Sequence, residues 1–86
     1  MIISECQFEP PFREGYVADC YVTLNGVFQI VISIYRNQNL RMKRSVLEVE
    51  WPVPILILDE YCRRCIDNEI LDRYSEWELE QKELYS

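Results

Sequence analysis

The 86-residue chain predicts an α+β domain, an antiparallel β-sheet of three to five strands covered by one long C-terminal amphipathic helix. Three observations carry that expectation. Residues Val17 to Ile34 alternate apolar and polar side chains on both sides of Asn25-Gly26, a β-hairpin signal set in a meander. Shorter alternations at Ile2 to Phe8 and Leu47 to Trp51 supply further strands. Beyond them, Leu58, Cys62, Cys65, Ile66, Ile70, Tyr74 and Trp77 recur at three- and four-residue spacing, which is one face of a helix.

The first strand sets Ile2, Ser4, Cys6 and Phe8 against Ile3, Glu5 and Gln7, and Pro10-Pro11 ends it. Phe12 to Tyr16, with Gly15, turns the chain into the hairpin. A two-residue loop at Asn25-Gly26 would set Val22 against Gln29 and split the apolar faces. A three-residue loop of Leu24, Asn25 and Gly26, with Gly26 left-handed at a bulge, pairs Val22 with Phe28, Cys20 with Ile30 and Ala18 with Ile32, and keeps one apolar face. Arg36-Asn37-Gln38-Asn39 reads as a polar connection, followed by a short extended piece at Leu40 to Lys43. Pro52 stops the last strand. The helix starts at Pro54, a first-turn proline, or at Asp59, an N-cap residue. The layout is a single domain, with the sheet in 1–53, the helix in 54–82 and a polar C-terminus that frays.

The composition excludes several function classes. Nine cations against fifteen acids leave a net charge of −6, against a generally basic nucleic-acid binder. The absence of histidine removes the commonest catalytic base and metal ligand. Both glycines fall in turns, so no phosphate-cradling loop is available, and no nucleophile elbow occurs. The expectation is a protein that is not an enzyme and carries no cofactor. No apolar run reaches the length of a membrane span, and Met1-Ile2-Ile3-Ser4 is unlike a signal peptide, so the expected location is the cytoplasm. Cys6, Cys20, Cys62 and Cys65 are then expected as reduced, buried thiols. Cys62 and Cys65 have zinc-knuckle spacing, and Cys6 with Cys20 would complete a tetrahedral set, but the pair lies inside a helix and the other two sit singly on strands, so no metal is expected.

Charge is uneven along the chain. From Asp59 onward there are nine acids against four cations, while Arg36, Arg41, Lys43 and Arg44 share their stretch with no acid. The order of elements, the segment YVADCYVTLNGVFQIVISIYRNQNLRM, the aromatic-proline pair Trp51-Pro52 and the helix close at Ile70, Leu71 and Tyr74 resemble the SpoVG (stage V sporulation protein G) family. The resemblance spans roughly Met1 to Tyr74 and implies a homodimeric, non-catalytic regulator that binds DNA or RNA. On that reading Arg36, Arg41, Lys43 and Arg44 are nucleic-acid contacts, with Tyr35 beside them to stack on a base. The same four cations also suit a solvated sheet edge. The alternative is an acidic phage-type inhibitor, anti-CRISPR or DNA-mimic-like, which meets a basic protein such as a host nuclease with its helix. Asp67, Glu69, Asp72, Glu76, Trp77, Glu78 and Glu80 would then form the protein-binding face, with Tyr74 and Tyr85 as further aromatics. Trp51 continues the Leu47 and Val49 face and is expected in the core.

Overall fold

A computed structural model describes residues 3–52 and 59–84. Four strands, β1 (Ile3–Glu9), β2 (Ala18–Leu24), β3 (Phe28–Asn39) and β4 (Arg44–Glu50), form an antiparallel meander in the order β1-β2-β3-β4, and α1 (Glu60–Leu84) follows. This is the expected α+β architecture. The Pro54 helix start and the segment to Leu58 lie outside the described residues, as does Tyr85. Asp59 is the N-cap: its Oδ1 accepts the Cys62 backbone N–H at 2.7 Å, and its carbonyl accepts that of Arg63 at 3.1 Å. The helix runs on to Leu84, past the expected end at 82.

The core lies between the sheet and one stripe of α1. Ala18, Cys20, Val22 and Leu24 of β2 alternate inward and pack with Ile32 and Ile34 of β3, Ile3 of β1 and the helical Ile66, Ile70 and Tyr74. Trp51 is half-buried against this core, as its strand pattern predicts. Cys65, expected on the buried stripe, is exposed. At about 100° per residue it sits a quarter-turn off the line through Cys62, Ile66 and Ile70.

The hairpin keeps one apolar face, but its register differs from the expected one. Leu24 pairs with Phe28, Val22 with Ile30, Cys20 with Ile32 and Ala18 with Ile34. The loop is therefore Asn25, Gly26 and Val27, and both Asn25 (φ 52°) and Gly26 (φ 74°) are left-handed. Leu24 decides the difference: it is 2% exposed, and drawing it into the turn would remove a leucine from the core. Both registers preserve side-chain parity, so alternation alone does not separate them.

β1 contains an irregularity that its alternation does not announce. Ile3 pairs with Leu24, but Glu5 pairs with Thr23 and Cys6 with Val22, so Ser4 is an extra residue. The shift puts Ile3 on the same inward face as Cys6 and Phe8, which a regular strand would forbid.

A second correction concerns Arg36 to Asn39. These residues continue β3, and Leu40–Lys43 form the turn to β4, with Lys43 left-handed (φ 53°). β2 ends its pairing at Ala18 opposite Ile34, so Tyr35–Asn39 pair with Arg44–Glu48 alone. The result is a two-stranded arm of five residue pairs that projects roughly 17 Å beyond β1 and β2. Asn37 and Gln38 are exposed on both faces of the arm, so that stretch has no apolar alternation to read in the sequence, whereas Leu47 at its base packs on the core.

Gly26→Val should lower stability by about 1–3 kcal/mol through backbone strain, since no side chain other than Ser4 Oγ, at 3.9 Å, comes near a Cβ there. Gly26→Asn should recover most of the loss, and thermal unfolding followed by circular dichroism reads both.

The Asp59 carboxyl is held below its ordinary range, chiefly by the Cys62 backbone N–H that bonds its charged form. A depressed folded value contributes stability that is present above the unfolded value near 4 and lost as pH falls through the folded one. The melting temperature of the wild type should therefore drop relative to Asp59→Asn as pH is lowered below about 4.

Candidate functional site

Two charged surfaces compete as the working site, and the fold treats their residues differently. Arg41 and Lys43 lie in the turn at the tip of the arm and Arg44 opens β4; all three are exposed, and none has an ion pair among the described residues. Leu40 (83% exposed) and Met42 (54%) alternate with them. Arg36 is set apart. It lies at the base of the arm on the helix-facing side, opposite Leu47, and donates to Glu78 Oε2 at 3.2 Å.

The acids of α1 fall on two sides. Asp67 accepts the Trp51 indole N–H at 2.7 Å, and Glu78 holds both Arg36 and, at 3.2 Å, Lys82. These two look toward the β3 and β4 side of the sheet. Glu69 pairs with Arg73 at 3.0 Å and Glu60 with Arg64 at 2.9 Å, each with the acid one turn before the base. Asp72, Glu76 and Glu80 recur every four residues and have no ion pair among the described residues; Glu76 and Glu80 line a groove on the β1 side, and Asp72 is exposed one turn before them. The expected seven-residue face is thus a short ridge of three acids, with Trp77 half-buried beside it against Phe8 (6.0 Å) and Tyr74 (5.9 Å).

Electrostatics follow these contacts. Burial pushes the Asp67 carboxyl up, against the lowering pull of the Trp51 hydrogen bond. Glu78 is lowered, first by its hydrogen bond with Tyr74, and burial pushes the Tyr74 hydroxyl up to about 12. The basic arm and the acidic helix meet at Arg36 and Glu78, so the two charge poles of the sequence are in contact in the fold.

The outer sheet face carries a polar cluster absent from the sequence reading. Arg13 donates to Ser33 Oγ at 2.9 Å and Glu50 Oε2 at 3.1 Å, with its guanidinium 4.2 Å from the centre of the Tyr16 ring. Tyr16 donates to Glu50 at 2.8 Å, which raises its hydroxyl pKa, and Tyr35 donates to Glu48 at 2.7 Å. The Tyr35 ring stands edge-on to Tyr16 at 6.0 Å, so it is packed at the base of the arm and not presented alone for stacking. Phe12 N–H reaches the buried Asp19 Oδ2 at 3.3 Å. Contacts of this kind join residues up to 37 apart, and no local spacing marks them.

The four cysteines are free thiols. Cys20 is buried and Cys6 half-buried, with their sulfurs 3.2 Å apart. The hydrogen bond between the two thiols, reinforced by the charge of Arg73, brings the Cys6 thiol down to about 7 against the effect of burial; the same bond, with burial, pushes Cys20 up. Among the described residues no three cysteines or carboxylates group to hold a metal ion, and no helix is long and apolar enough to cross a membrane.

Comparison with family models, curated proteins and solved structures gives no match to this chain, and the SpoVG resemblance rests on the residues quoted above.

Trp51→Phe removes the indole donor to Asp67 and should cost about 1–2 kcal/mol, whereas Asp67→Asn, which keeps an acceptor for the indole, should cost less. Urea unfolding of both variants and the double mutant checks the coupling.

Proposed function

We propose that the protein is a non-catalytic, SpoVG-like regulator that associates with DNA or RNA through the β3–β4 arm and acts as a homodimer. The observation that carries this reading is the arm itself. A two-stranded ribbon is narrow enough to enter a nucleic-acid groove, and Arg41, Lys43 and Arg44 stand exposed at its tip with no ion pair among the described residues. Phosphate contacts by three cations supply affinity, and the exposed Leu40 and Met42 supply apolar contact to bases and sugars. Arg36, held by Glu78, sets the arm's base and makes no first contact. The outer edges of β1 and β4 have no strand partner among the described residues, and a second copy paired there would present two arms.

The ridge of Asp72, Glu76 and Glu80 supports a second reading, an acidic inhibitor that meets a basic protein surface. Charge reversal separates the two. Under the first reading, Arg41, Lys43 and Arg44 changed together to Glu abolish binding to DNA and RNA. Wild-type log affinity then falls with log salt by roughly 2 to 3 per arm, about 0.7–0.9 for each phosphate contact. Asp72, Glu76 and Glu80 changed to Lys leave that binding intact or tighten it. No measurable wild-type affinity for either nucleic acid at low salt rejects the first reading. Sedimentation showing only monomer at micromolar concentration rejects the dimer.

A further inference from the structure

Two thiols meet where β1 passes under the helix. Cys6 is opposite Val22 and Cys20 is opposite Phe8, so the two cysteines are diagonal neighbours on the inward face, and their sulfurs are in hydrogen-bond contact at 3.2 Å. Cys20 is 0% exposed. Cys6 instead opens into a groove of about 500 Å³ between β1 and α1, which Phe8, Arg73, Glu76, Trp77 and Glu80 also line. Cys6 lines a space that admits a small molecule, and Cys20 is fully buried with its sulfur 3.2 Å from that of Cys6.

We propose that Cys6 and Cys20 form a redox site that a small hydroperoxide oxidises to an intramolecular disulfide, with Cys6 the sulfur that attacks the peroxide and Cys20 the sulfur that resolves it. In the first step the Cys6 thiolate attacks one peroxide oxygen and the O–O bond breaks. The leaving oxygen departs with the bonding pair, takes a proton from solvent and leaves as alcohol or water, and Cys6 becomes a sulfenic acid. In the second step the Cys20 sulfur attacks the Cys6 sulfur, the S–O bond breaks, and the thiol proton leaves with the hydroxyl as water. The dithiol loses two electrons and the peroxide gains them.

The fold favours each part of this sequence. Cys6 is the more acidic of the two thiols, first through its hydrogen bond with Cys20 and then through the cation of Arg73 on the groove wall, which favours a thiolate even though it is paired with Glu69 at 3.0 Å. The attacking and resolving roles follow from access. Diagonal strand neighbours have Cα atoms about 7–8 Å apart, beyond the usual 4.4–6.8 Å of a disulfide, so bond formation must draw β1 toward β2. β1 can yield, because it is an edge strand with one neighbour and a bulge at Ser4. A disulfide closed against that resistance is readily reduced again, which suits a reversible switch over a structural cross-link.

The test uses the full chain with Cys62→Ser and Cys65→Ser, so that the helix thiols do not compete. After hydrogen peroxide, tryptic cleavage at Arg13 separates the two cysteines, and mass mapping should find their peptides joined, with the loss of two hydrogens and release by dithiothreitol. Adding Cys20→Ala should leave Cys6 as a sulfenic acid trapped by dimedone, while Cys6→Ser should leave Cys20 unmodified. Full alkylation of both cysteines after peroxide treatment overturns the proposal, as does dimedone labelling of Cys20 in the Cys6→Ser protein. Because the peptide map keeps both sulfurs in place, it decides the matter even if either substitution impairs folding.

Discussion

Everything in this molecule depends on covering one face of a sheet. β2 and β3 turn Ala18, Cys20, Val22, Leu24, Ile32 and Ile34 to the same side, and each large aliphatic buried there contributes about 1.5–3 kcal/mol that exposure would forfeit. α1 provides the cover with Ile66, Ile70 and Tyr74, held at its start by the Asp59 cap. That requirement explains details that local rules leave open. Leu24 stays in β2 and pushes the turn to Asn25-Gly26-Val27, and Ser4 bulges so that Ile3 can face inward with Cys6 and Phe8.

Once the helix is seated, its charges are no longer equivalent. The stripe that packs on the sheet carries Asp67 to Trp51 on one flank and Glu78 to Arg36 further along, and both carboxylates are consumed by contacts within the chain. Glu76 and Glu80 fall on the other flank, on the wall of the groove that Cys6 also lines, and Asp72 is exposed one turn before them. The cations divide in the same way. Arg36 is on the side of β3 that faces the helix and is neutralised, whereas Arg41, Lys43 and Arg44 are carried out of reach by the arm. A net charge of −6 describes the whole, yet the tip of the arm is a local concentration of positive charge.

The meander, the one-sided core and the helix were legible because each rests on a repeating burial pattern: period two in Ala18 to Ile34, and three-four spacing from Cys62 to Trp77. The hairpin register and the bulge were not, since two registers of equal parity satisfy the same alternation and the choice rests on the burial of one residue, Leu24. The arm was missed for a different reason. Asn37 and Gln38 are strand residues with both faces in solvent, and backbone pairing with β4 leaves no apolar trace. The Arg13, Tyr16 and Glu50 cluster and the Cys6–Cys20 contact bring together residues distant in the chain, so only folding makes them visible.

The amino-acid sequence by itself determined that this chain makes an antiparallel sheet with one helix against it, because side-chain periodicity and the turn and cap residues act over a few positions. It also set the stock of charge and thiols. Tertiary structure alone decided which of those groups stay available: Arg36 and Glu78 pair, the cations at the tip of the arm have no ion pair among the described residues, and the half-buried member of the thiol pair lines a groove. The physical reason is that burial is a property of faces, written locally in the chain, whereas availability depends on which distant groups the packing of those faces brings within bonding distance.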